Sequence, residues 1–275
     1  MDRQTWWKNF SLGTELQISG SFIYNGLHQF DQLKGFYHEE EIFEFVYNLA
    51  VGIERLMKVN IILLEHNYDS DQEEFEKSLI THNHLELLKR IKRNNQLDLG
   101  KIHNDFLQLL SKFYKSMRYD RFNLASTYNL APERKEFIDF IEKYLKVKIS
   151  IDGFGATPND KRIKKFIGKT VGKITTELYN ILCESARGLN IHTYEVRTYS
   201  KAFKIFLCKD FTFEKENVLR RELLLYITNP KVESNFKFLL EEIKPLEFDG
   251  YHLNFYMSYS WCICRILKKA VHFGY

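Results

Sequence analysis

Across Glu39–His66 apolar side chains recur every three or four residues. Ile42, Phe45, Val46, Leu49, Ile53, Leu56 and Met57 fall on one stripe of a helix. Glu39, Glu40 and Glu41 open it, where negative charge suits the positive end of the helix dipole. Beyond Met57, residues Asn60–Leu64 are apolar around most of the circumference, which predicts that this end is buried. A helix this long must have its stripe covered, so the fold is expected to be built around it.

The remaining chain reads mainly as further helices. Only 4 Pro and 13 Gly punctuate 275 residues, which favours long elements over many short turns. The spacing predicts helices over Glu74–Lys92, Ile102–Met117 and Pro132–Leu145, the last with its proline in the first turn. Others are predicted over Lys161–Arg187, Lys201–Leu207, Glu214–Thr228, Glu233–Ile243 and Tyr251–Val271. The alternation of Val147, Ile149 and Ile151, and the ambiguous stretch Asn190–Arg197, allow at most a short strand or hairpin near 147–155 and 190–197. The expected fold class is therefore all-α, a multi-helix bundle. Residues 1–38, with Trp6, Trp7, Phe10, Phe22, Tyr24 and Phe30 scattered among Gly and polar residues, read as an irregular aromatic N-terminal arm. Asp69–Lys77 reads as an acidic linker. Residues 39–150 read as the bundle and 151–275 as a C-terminal helical region, separate from the bundle or continuous with it, with the boundary in the loop from Gly153 to Asp160.

Composition narrows the setting. Hydrophobic residues at 44% and charged residues at 28% are ordinary for a globular chain and argue against disorder. No stretch approaches the ~18 uninterrupted apolar residues of a membrane span; the best, Val59–Leu64, contains Asn60. Met1–Leu12 has no apolar core of the signal-peptide kind. Cys183, Cys208, Cys262 and Cys264 lie in apolar, helix-like runs and read as reduced thiols, which points to the cytoplasm.

The net charge of +4 permits a nucleic-acid partner without demanding one. Two basic segments carry that reading. Lys89-Arg90-Ile91-Lys92-Arg93 closes one predicted helix. Lys161, Arg162, Lys164, Lys165, Lys169 and Lys173 fall in a run that contains no acid. This run opens its helix, where the dipole disfavours cations, so bound phosphates would compensate.

Other motifs fail on inspection. Gly153-Phe154-Gly155-Ala156-Thr157-Pro158 lacks the third glycine of a dinucleotide loop, and Gly168-Lys169-Thr170 has Ile163 where a phosphate-binding loop needs glycine. Cys262 and Cys264 are too close together for the usual zinc pair, and His82 and His84 fall on different faces of a predicted helix start. No metal and no cofactor is therefore expected. Arg187 and His192 form an Arg-x4-His pair, the kind of dyad that can cleave RNA without metal: arginine stabilises phosphorane charge and histidine moves the proton. With 13 Arg and 9 His, chance gives roughly one such match, and Arg265 with His272 supplies a second, so spacing alone does not assign a site.

Residues 39–124 carry a resemblance. The helix containing Tyr47-Asn48-Leu49-Ala50-Val51-Gly52-Ile53-Glu54-Arg55-Leu56 resembles the first long helix of HEPN-superfamily bundles. His84-Leu85-Glu86-Leu87-Leu88 resembles the His-x-Leu start of their second helix, and Phe113–Phe122 is similar to the aromatic, arginine-rich end of the next. The resemblance implies a helical bundle, frequent homodimers, and RNA binding or cleavage in prokaryotic defence and toxin systems. In active members an Arg-x4–6-His motif at the dimer interface is catalytic. Here neither Arg118 nor Arg121 has a histidine at that spacing. Either Arg187 and His192 are catalytic, with Arg118 and Arg121 as phosphate contacts, or the chain is a non-catalytic nucleic-acid-binding or protein-assembly module. Lys161, Arg162, Lys164, Lys165 and Lys169 are candidate nucleic-acid contacts, the alternative being a plainly solvated basic face on a structural protein.

Overall fold

The computed structural model describes residues 1–126, 128, 131–152, 155–191 and 196–228. Met1–Glu214 forms one compact unit and Lys215–Tyr275 a second. Within the described residues regular structure is helical, in keeping with an all-α bundle. None of the described helices is long and apolar enough to cross a membrane.

In the first unit, α1 (Arg3–Trp6) runs through a π turn (Trp7–Ser11) into α2 (Leu12–Gln32). Then come α3 (Glu39–Glu65), α4 (Gln72–Ser78), α5 (His84–Asn94) and α6 (Lys101–Lys112). A second π turn (Phe113–Met117), α7 (Arg118–Asp120) and a 3-10 turn (Leu124–Ser126) lead to α8 (Pro132–Leu145), α9 (Lys161–Gly188) and α10 (Lys201–Phe206). The second unit is described as far as Thr228, within α11 (Glu214–Thr228), where Val218 and Leu219 are exposed. The helices expected at Glu233–Ile243 and Tyr251–Val271, with Cys262 and Cys264, lie outside the described residues.

Helix α3 is the centre of the first unit, touching α2, α5, α6, α8 and α9. All seven residues of its apolar stripe are fully buried. At its C-terminal end Asn60 is buried as well, and its side-chain amide donates to the Leu56 carbonyl at 2.9 Å. A polar group this deep needs such a partner, because an unmade hydrogen bond costs about 1–3 kcal/mol.

The irregular arm expected over residues 1–38 is instead mostly helix, and α2 lies against α3 along its length. The stripe of α2 is Leu12, Leu16, Ile23, Leu27 and Phe30, interrupted by Ser19, Gly20 and Gly26. Those small residues hide the periodicity, yet they are what permits close packing. Ser19 Oγ donates to the Gly52 carbonyl at 2.8 Å across the α2–α3 contact. On the other side Gly20 admits α10: a Cβ there would lie 2.6 Å from that of Ala202.

Two further expectations are corrected. The single helix over Glu74–Lys92 is two, because the Asn83 side chain accepts hydrogen bonds from the Leu85 and Glu86 backbone and caps a fresh start at α5. The acidic linker over Asp69–Lys77 is largely α4, capped by Asp71. No described residue near 147–152 forms a strand. Ile149 N donates instead to Glu142, and Ser150 and Thr157 bond each other. The first unit continues to Glu214 through the loop before Asp160, the continuous one of the two arrangements read from the sequence. Asn159 stitches it to α2 and the chain beyond: its side chain donates to the Phe30 carbonyl at 2.7 Å and its backbone N–H to that of Lys34 at 3.0 Å.

Candidate functional site

One acidic side chain of α3 breaks the apolar pattern. Glu54 is 6% exposed, next in sequence to Ile53 on the buried stripe. Two groups bond its carboxylate. Lys58, one turn on, reaches one carboxylate oxygen at 2.7 Å. His82 Nδ1 lies 3.0 and 3.2 Å from the two oxygens. His82 is in the turn before α5 rather than on a helix start, and that turn brings it over α3.

Tyr114, on the second π turn, completes the arrangement. Its ring centroid is 4.5 Å from that of His82, and the Arg118 guanidinium lies 3.8 Å from the same ring. Tyr47 of α3 stacks on Tyr114 at 6.1 Å. Burial pushes the Tyr114 hydroxyl pKa up; Arg118 opposes that shift and Glu54 adds to it, so both charges act on one ring. Arg118 is half-buried, spans Tyr114 and Tyr119, and its buried Nε has no hydrogen-bond partner among the described residues. π turns recur at functional sites because they displace side chains from α-helical register.

The chemistry follows from donor rules. An ionised carboxylate only accepts, so the hydrogen on the His82 ring is on Nδ1. In the neutral ring Nε2 then carries the lone pair of a base held in place from behind, the relation that orients a catalytic imidazole. A guanidinium stacked on the same tyrosine supplies positive charge for a developing anion.

The residues singled out from sequence divide into groups. Arg118 belongs to this cluster. Arg121 is spent on structure: it donates to Glu39 at 3.1 Å and to the fully buried Glu133 at 2.5 Å, with Phe43 beneath it. Arg187 is exposed in the last turn of α9, while His192 lies outside the described residues. Lys161, Lys165 and Lys169 are exposed, at four-residue steps and so ~6 Å apart along α9. Arg187 is about five whole turns beyond Lys169 and faces the same side. Arg162 instead donates to the Leu145 carbonyl at 2.9 Å, and Lys164 reaches the Asp31 carbonyl at 2.5 Å, closing contacts within the unit. Cys183 is a half-buried free thiol whose pKa burial raises, and Cys208 is an exposed one. The described residues hold no group of three His, Cys, Asp or Glu suited to a metal ion.

Glu54, His82 and Tyr114 are the residues that sequence reasoning missed. The Asn83-His84-Leu85-Glu86 capping pattern was the available signal: it ends the preceding element and leaves His82 in a turn. No protein-family model, no curated protein and no solved structure matches this chain, so its chemistry rests on the geometry of Glu54, His82, Tyr114 and Arg118.

Proposed function

We propose that this protein is a HEPN-like, RNA-targeting protein of prokaryotic defence or stress response that cleaves RNA without a metal ion. On this reading it acts in the cytoplasm as a homodimer. The observation that carries the reading is His82, held through Nδ1 by a buried carboxylate beside the stacked guanidinium of Arg118. Base and anion stabiliser then come from one cluster rather than from Arg187 and His192.

In this reading His82 Nε2 takes the proton of a ribose 2′-hydroxyl. The 2′ oxygen bonds to the adjacent phosphorus and the bond from phosphorus to the 5′ oxygen breaks. Arg118 stabilises the charge on the phosphorane oxygens. Water protonates the departing 5′ oxygen, and the imidazolium returns its proton to solvent. The products are a 2′,3′-cyclic phosphate and a 5′-hydroxyl end. Positioned proton transfer of this kind contributes about 10²–10⁴ in rate.

Incubation of the protein with total RNA or tRNA in a chelating buffer tests the reading, with end-group analysis of the products. Cyclic phosphate ends that disappear with Arg118→Ala support it. RNA retained at low salt but never cut favours the alternative, a binding module that uses the exposed lysine row of α9.

A further inference from the structure

After Arg118 the chain leaves aromatic rings in solvent. Tyr119 is 55% exposed, Phe122 86% and Tyr128 96%. This much bare ring surface on one short segment marks an interaction site. The charges around it indicate the occupant. Lys115, four residues before Tyr119, is exposed, and Arg118 stacks on both Tyr114 and Tyr119, 4.4 Å from the latter. From Lys115 to Tyr128 the chain carries one acid, Asp120. Rings interleaved with cations suit a polyanion that carries flat π faces.

We infer that Tyr119, Phe122 and Tyr128 form a stacking platform for the unpaired bases of single-stranded RNA, delivering the strand to His82. The platform adjoins the cluster, because one guanidinium, that of Arg118, lies on a ring of each. Duplex bases are already stacked on one another and cannot use such rings, so the platform selects single strands. The inference rests on the reading of the protein as RNA-targeting and adds the substrate class.

The test is anisotropy of a fluorescein-labelled oligouridine about 12 nucleotides long, a length within the range that single-strand sites span. A 2′-deoxy version excludes turnover, and a hairpin duplex serves as comparison. Stacking on an aromatic ring predicts that Phe122→Ala weakens single-strand binding by about tenfold. Phe122→Leu, apolar but not aromatic, should lose as much, while Phe122→Trp keeps wild-type affinity. Phe122 is exposed, so these variants fold, and helical circular dichroism checks that they do. Equal affinity for Phe122→Leu and wild type would overturn the inference. So would preference for the duplex, absence of single-strand binding, or a light-scattering dimer that Phe122→Ala dissociates while RNA affinity stays unchanged. The platform is separable from the chemistry: stacking stands if Phe122→Ala weakens binding even where His82→Ala cuts as fast as wild type.

Discussion

Gly52→Ala tests the contact on which the position of Glu54 depends. A Cβ added at Gly52 would lie 2.7 Å from Ile23 Cγ1, 3.0 Å from Ile23 N and 3.0 Å from the Ser19 carbonyl oxygen. Two of the three are backbone atoms of α2, and Ile23 is fully buried, so little can yield locally. Overpacking of this kind costs about 1–3 kcal/mol. The opposing gain, replacing glycine by alanine inside a helix, is about 1 kcal/mol. With two backbone atoms in the way the cost should fall in the upper part of that range, leaving a net loss of up to ~2 kcal/mol and a lower urea midpoint with unchanged slope. The control is Gly188→Ala, where no described residue lies within 4 Å of the added methyl and the change should be neutral or slightly stabilising. If Gly52→Ala were as benign as Gly188→Ala, α2 would not lie on α3 as described, and the site built on that contact would lose its support.

Other consequences can be checked together. Arg121→Ala leaves Glu133 buried without its cation and should destabilise the fold by about 3 kcal/mol in chemical denaturation, with RNA affinity nearly unchanged. A large loss of affinity without loss of stability would restore Arg121 as a phosphate contact. Replacing Lys161, Lys165 and Lys169 together by alanine should lower the salt dependence of RNA binding by ~2 in the log–log slope, at ~0.7 per phosphate contact; an unchanged slope removes the α9 row from the interface. His84 is fully buried, donates Nε2–H to the Ala50 carbonyl at 2.9 Å, and has its pKa pushed below the usual 6.5 by burial. As pH falls through 6.5 the unfolded chain takes up this proton first, so stability should drop by up to ~1.4 kcal/mol per pH unit. His103 is shifted in the same direction, so His84→Gln should reduce that slope rather than abolish it. An unaltered slope would show that His84 is not held neutral.

The parts of the fold that were legible share a cause. Helices α3, α8 and α9 present continuous apolar stripes with clear starts: three acids, a proline and the Asp160 cap. Helix α2 was not legible, since its closest contacts use Ser19, Gly20 and Gly26, which carry no apolar signal. The site was legible only through Arg118. Glu54 looks from sequence like any helix carboxylate, and only the fold shows that it is buried. His82 pairs with it across 28 positions of chain, a separation that no local motif encodes. The Arg-x4-His spacing at Arg187 was visible because it is local, but a local pattern says nothing about which histidine meets which arginine in space.

The most direct test compares two histidines. Single-turnover cleavage of a single-stranded RNA is measured for wild type, His82→Ala and His192→Ala, each checked for folding. The account predicts that His82→Ala loses about 10²-fold or more in rate while His192→Ala cuts as wild type does. Full activity in His82→Ala, with loss in His192→Ala, would contradict it and return the chemistry to Arg187 and His192.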